Sequence, residues 1–112
     1  MMHTPDLKMA MTVFFQENGR SDLIKQSLAV GAKARALAEQ FNLSSEQAEQ
    51  SGWLHVVGAV VPVSEAVAAA QAYGVDVLPE EESLPVLLTQ KLSAALAQDL
   101  FGVTEPHVLS AI

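Results

Sequence analysis

Residues 21–41 read SDLIKQSLAVGAKARALAEQF. On a wheel of about 100° per residue, Leu23, Ile24, Ser27, Val30, Gly31, Ala34, Leu37, Ala38 and Phe41 share one arc, and Lys25, Lys33, Glu39 and Gln40 lie opposite. That period, held for about five turns, predicts an amphipathic helix. Ser21 is placed to cap it. Asp22 stands in the first turn, where the helix dipole favours an anion.

Helical signals continue on both sides. Upstream, Thr4-Pro5-Asp6 starts a first helix that ends at Asn18-Gly19. Downstream, Asn42-Leu43 is a turn. Ser44, with Gln47 three residues on, forms a capping box for a third helix. This helix is expected to run through Glu46, Glu49 and Trp53 into an apolar stretch and to end at Gly58 and Pro62. Val56, Val57, Val60 and Val61 could also read as a buried strand, but nothing is available to pair with it. Ser64 is expected to cap a fourth helix, Glu65 to Tyr73, stopped by Gly74. Residues 76–83 read as an acidic loop. A fifth helix is expected from Leu84 to Phe101, with Leu84, Leu88, Leu92, Leu96 and Leu100 recurring every four residues. Gly102 stops it, and Thr104 is placed to cap a last helix reaching Ile112. Strand signals are nearly absent. The expected fold is all-α, a single bundle of about six helices spanning residues 1–112 as one domain.

Composition narrows the function. The 112 residues hold 13 Asp plus Glu against six Lys plus Arg, a formal charge of −7, and half are apolar. The absence of Cys removes disulfides, thiolate nucleophiles and Cys-based zinc sites. The cations Lys8, Arg20, Lys25, Lys33, Arg35 and Lys91 are dispersed and give no footprint for phosphates, so no nucleic-acid partner is expected. Lys25, Lys33 and Arg35 read as a solvated helix face. Trp53 to Val63, broken only by His55, is far short of the ~20 residues of a membrane span. Asp6 and Lys8 interrupt the apolar N-terminus, and no small-residue cleavage site follows. A cytoplasmic protein without membrane association is expected.

Few residues offer chemistry. His3 and His107 read as surface residues. His55, between Leu54 and Val56, reads either as a core histidine with one hydrogen bond or as a ligand or base. A metal site normally takes roughly three or four protein ligands. The positions one turn from His55 hold Ser51, Gly52, Gly58 and Ala59. Glu80, Glu81 and Glu82 read as a solvated acidic tip. Ser27, Ser51 and Ser93 lack a nucleophile-elbow setting. Gly31, Gly52 and Gly58 are isolated and form no phosphate loop. Trp53 reads as a core anchor.

One long-range pattern remains. Gln26-Ser27-Leu28-Ala29-Val30-Gly31, Ala36-Leu37-Ala38-Glu39-Gln40-Phe41, Ala48 and Gly52-Trp53-Leu54-His55 are followed by Leu87-Leu88-Thr89-Gln90-Lys91-Leu92-Ser93-Ala94, Phe101-Gly102-Val103 and Leu109-Ser110-Ala111-Ile112. Over about residues 20–112 this series resembles the HD-domain phosphohydrolases, and in particular the YqeK-like subgroup of metal-dependent hydrolases of dinucleoside polyphosphates. Residues 1–19 form a helix outside that region. The resemblance implies a helical fold and a divalent-metal pocket, but the chain departs from the family at the ligands. Gln26 stands at the first metal His, Val56 at the Asp of the His-Asp pair, Ala59 at the following Lys and Thr89 at a later His. Of the ligands the family would imply within the chain, His55 alone survives. On the helical wheel Gln26 sits at the edge of the apolar arc, where a ligand facing the cleft would sit.

The resemblance with these departures implies a non-catalytic HD-like binding or assembly module. Its remnant pocket of Gln26, His55, Val56 and Thr89 would hold no cofactor, with room for a small-molecule ligand. The expected partner is a second copy in a homodimer through an uncovered apolar face of the second, third or fifth helix. The alternative is a divergent phosphohydrolase using Mn, Fe or Mg with His55 and acids such as Glu80 to Glu82.

Overall fold

Three glycines expected to stop helices, Gly19, Gly74 and Gly102, have φ of +68°, +70° and +65°. A side chain with a Cβ is strained there, so the chain reverses at these points at least cost. The structure, a computed structural model, describes residues 4–112. It contains α1 (Thr4–Glu17), α2 (Asp22–Gln40), α3 (Ser45–Leu54), α4 (Ala66–Ala72), α5 (Pro79–Ser83), α6 (Thr89–Leu100) and α7 (Pro106–Ala111). Short 3₁₀ turns occupy Val57–Val60, Val63–Glu65 and Pro85–Leu88. The described residues contain no strand, so the fold is all-α.

A helical hairpin of α2 and α3 is the centre of the fold. Ser44 Oγ accepts the Gln47 N–H, as the capping pattern implies. Two glycines let the backbones meet. A Cβ built on Gly52 would lie 2.6 Å from Gly31 Cα, and one on Gly31 would collide with the Trp53 ring. Arg35 closes the hairpin from outside, reaching Glu39 and Glu49 at 3.2 Å each. Along α2 the buried positions are Leu23, Ser27, Gly31 and Ala38, a narrower strip than the wheel implies. Leu37 falls beside that strip and Phe41 at the hairpin corner, and both are exposed.

The main core gathers Leu7, Met11 and Phe15 of α1, Trp53 and Leu54 of α3, Leu96 and Phe101 at the end of α6, and Val108 and Ile112. The Phe14 and Phe101 rings meet edge to face at 5.3 Å. A smaller core joins Ala66 and Ala70 of α4 to Leu88 and Leu92, and Val61 packs against both cores. The Ser51 hydroxyl proton is shared between the Gln47 carbonyl at 2.9 Å and the Val108 carbonyl at 3.3 Å, which ties α3 to α7.

Several expected elements are corrected. The third helix ends at Leu54 rather than near Gly58, because its next backbone groups are taken by α6. The buried Ser93 Oγ donates to the His55 carbonyl at 3.1 Å and accepts the Gly58 N–H at 2.9 Å. The chain tightens there, with the Ala59 N–H bonding the Val56 carbonyl. A Cβ on Gly58 would lie 2.5 Å from the Thr89 carbonyl oxygen, so only glycine fits this crossing. The fifth helix is likewise broken, since Pro85 supports a 3₁₀ turn before α6 begins at Thr89. Leucines spaced by four drift about 40° per step around a helix. Within α6 Leu92 and Leu96 are buried and Leu100, a step further round, is half exposed, while Leu88 is buried at the end of the 3₁₀ turn and Leu84, before that turn, is half exposed.

The acidic loop is partly helical, with Pro79–Ser83 forming α5 and Glu81 buried. Ser21 makes no side-chain cap, and Ser64 and Thr104 are not the capping residues; Glu105 caps α7 by accepting the His107 N–H. Among the described residues no single helix is long and apolar enough to cross a membrane. Ser45–Val60 and Val63–Ala72 reach that apolarity only as a pair, bent by 84°.

Candidate functional site

His55 sits at the C-cap of α3 rather than within a helix, half buried. Its Nδ1 lies 2.6 Å from the Gly52 carbonyl oxygen. A proton on Nδ1 is donated to that oxygen, which fixes the ring and leaves the lone pair on Nε2. The neighbouring backbone is anchored by Ser93, so the ring has a defined place between α3 and α6.

The other positions expected to line a pocket do not complete one around it. Gln26 is exposed on α2 rather than facing a cleft, and no hydrogen bond joins it to His55 or Thr89. Val56 packs its side chain against the main core. Thr89 Oγ1 donates to the Val86 carbonyl at 3.0 Å, closing the turn before α6. These residues do not fit a catalytic divalent cation: one imidazole is joined by an exposed amide, an alkyl group and a hydroxyl already engaged. Among the described residues no group of three or more His, Asp or Glu is placed to hold a metal ion. His107 is exposed, 3.7 Å from Glu105, and His3 lies outside the described residues.

The acids of α5 behave differently from a solvated tip. Glu80 and Glu82 point outward and are exposed, but Glu81 is buried. Its Oε1 accepts the Leu78 N–H at 2.8 Å and the Lys91 ammonium at 2.9 Å. Lys91 also donates to the Asp76 carbonyl at 3.1 Å. The Leu78 N–H first, and Lys91 second, hold the Glu81 carboxyl below the usual range. This group fastens the acidic segment to α6. The signal for it was Pro79 at a helix start with Glu81 three residues after Leu78, where a carboxylate can turn back on the first N–H.

Two open hollows adjoin each other on another face. One, of about 580 Å³, lies between α1, α4 and the end of α6 and is lined by Phe14, Ala68, Ala69, Tyr73 and Leu100 among others. The second, about 490 Å³, runs along α1 past Met9 and Val13 and shares Phe14 and Leu100 with the first. Arg20, at the turn before α2, braces this side. It pairs with Asp22 at 3.1 Å and donates to the Ala59 carbonyl. That pairing lowers the Asp22 carboxyl from its usual range.

The chain is similar to a protein of Lactococcus lactis subsp. cremoris described as an uncharacterized protein in the pepC 5′ region. The two are 39% identical over 70 residues. The match covers 62% of this chain and 36% of the relative, so the chain spans about a third of that protein's length. No family model matches the chain. No solved structure matches it.

Proposed function

We propose that this chain is a non-catalytic, HD-like helical module that binds or assembles with another polypeptide in the cytoplasm. The observation that carries the reading is what has become of the remnant pocket. Gln26 is exposed, Val56 is packed into the core and Thr89 is bonded to its own turn. A buried ligand set stripped of one or two members would leave uncompensated charge inside the protein. Here the replaced positions are apolar, locally bonded or in solvent. Exposed apolar side chains such as Met9, Phe41 and Leu43 support a binding role. Assembly with a second copy through an uncovered face of α2, α3 or α6 is one form of this proposal, read by sedimentation.

A second reading, a divergent phosphohydrolase using a divalent cation, is favoured by one observation: the fixed His55 ring with its Nε2 lone pair unengaged. Elemental analysis of the protein purified without added metal separates the two readings. So does a screen of nucleotides and dinucleoside polyphosphates with Mn²⁺, Fe²⁺ or Mg²⁺. The expected result is no stoichiometric metal and no turnover. Turnover that His55→Ala abolishes would establish the second reading.

A further inference from the structure

The two hollows form one groove along α1, and its charge is one-sided. Around α1, Asp6, Met9, Ala10, Val13, Phe14 and Glu17 occupy a single arc of about 140° that faces the groove. Leu7, Met11 and Phe15 take the next arc and are buried in the core. Lys8 lies on the far side of the helix from the groove. Met9, Val13 and Leu100 therefore form an exposed apolar stripe, flanked by Asp6 and Glu17 on α1 and by Glu65 next to α4. Among the described residues neither hollow is lined by Lys, Arg or His, and Arg20, bonded to the Ala59 carbonyl beside the first hollow, is taken up by Asp22.

These three acids differ from those that a Lys or Arg of the chain answers, and share their state with Asp76, Glu80, Glu82 and Asp99 elsewhere on the surface. Asp22 is answered by Arg20, Glu39 and Glu49 by Arg35, and Glu81 by Lys91. Asp6, Glu17 and Glu65 have no ion pair among the described residues. An apolar stripe bordered by unanswered carboxylates matches a helix with an apolar stripe bordered by cations. The same charge opposes the simplest alternative. A two-fold dimer through this groove would set Asp6, Glu17 and Glu65 against their own copies as water is excluded, and like charges brought together in that way repel. An anionic membrane surface or nucleic acid is disfavoured for the same reason.

We infer that the groove between α1, α4 and α6 is the docking site for an amphipathic helix of a partner protein, carrying Lys or Arg beside an apolar stripe. The inference rests on the binding-module reading above and names the surface and the chemistry of its partner. α1 is 14 residues long, roughly 20 Å, so a docked helix of about four turns would lie along it. Apolar burial in the groove supplies the affinity, and the acids set the partner's register and exclude anionic competitors.

The test uses two labelled synthetic peptides of about four turns, one alternating Leu with Lys on a helical period and one with Glu in place of Lys, read by fluorescence anisotropy. The Lys peptide is expected to bind and the Glu peptide not. The double variant Glu17→Lys, Glu65→Lys should lose roughly tenfold or more in affinity, whereas the same charge change at Glu80→Lys, Glu82→Lys should lose less than about threefold. Equal losses from the two double variants would mean diffuse attraction to an acidic protein and would overturn the inference. Amide shift changes induced by the Lys peptide in the wild-type chain should centre on α1, Tyr73 and Leu100, a readout that needs no variant to fold. Shifts centred on Leu84, Val86 and Leu87 would overturn the groove and leave the binding-module reading standing. A concentration-dependent dimer that Val13→Glu dissociates would assign the groove to a second copy instead. Turnover or bound metal would overturn the earlier reading without moving the peptide site.

Discussion

The Glu81 carboxylate accepts hydrogen bonds from the Leu78 N–H and the Lys91 ammonium and is almost wholly buried. Its folded pKa lies below the ordinary value. Its contribution to stability is therefore complete above the unfolded pKa and is lost as pH falls through the folded one. Thermal melts of wild type and Glu81→Gln should differ most near about pH 7 and converge in acid, because protonation then removes from wild type what the substitution removes at every pH. A gap that widened as pH fell would contradict this origin. Ser27 is the opposite case. Its hydroxyl is fully buried and has no hydrogen-bond partner. Ser27→Ala removes an unpaired polar atom, so it should leave stability unchanged or raise it by up to about 1 kcal/mol in urea unfolding. The wheel places both faces of this comparison differently. It puts Ser27 inside the apolar arc, but nothing in three adjacent glutamates says which one a distant lysine will reach.

Between elements, close approach is set by residues with little or no side chain. Gly31 against Gly52 seats α2 on α3, and Gly58 under Thr89 and Ser93 seats the 3₁₀ turn on α6. These glycines are isolated in sequence, and the reason for each is a backbone from another part of the chain. α6 shows the same dependence on neighbours. Leu96 is 3% exposed within the main core, and Leu100, one turn on, is 51% exposed at the groove. Leu96→Ala should cost about 2–5 kcal/mol. Leu100→Ala should cost about 1 kcal/mol or less, since half of its side chain already meets water. Chemical denaturation of the two variants checks the contrast, and equal losses would show that the end of α6 is covered by more than the described contacts. The four-residue spacing marks the core positions Leu88, Leu92 and Leu96, and it continues past the point where the helix has turned away.

At the scale of the molecule, a radius of gyration of 13.9 Å is close to the ~13 Å of a folded chain of about 100 residues, so the seven helices of the described residues enclose their cores in one body. The charge of −7 is unevenly answered. Asp22, Glu39, Glu49 and Glu81 are paired with Arg or Lys within the chain, whereas Glu80 and Glu82 and, around the groove, Asp6, Glu17 and Glu65 have no ion pair among the described residues. The proposed preference of the groove for a cationic helix rests on its acidic border beside the apolar stripe, and the peptide experiment reads it against the equally unpaired Glu80 and Glu82. The sequence by itself determined the helical class, the stops at Gly19, Gly74 and Gly102, the Ser44 cap and the buried place of Trp53. Each of these depends on periodicity or on local φ and capping chemistry, which neighbouring residues already encode. Tertiary structure alone decided where α3 stops, that Glu81 is buried against Lys91, that Gln26 turns to solvent, and that α1, α4 and α6 leave a groove between them. The first two depend on groups 10 to 38 residues away that take up one backbone or one charge, and the groove on helices distant in sequence; no local pattern records these meetings.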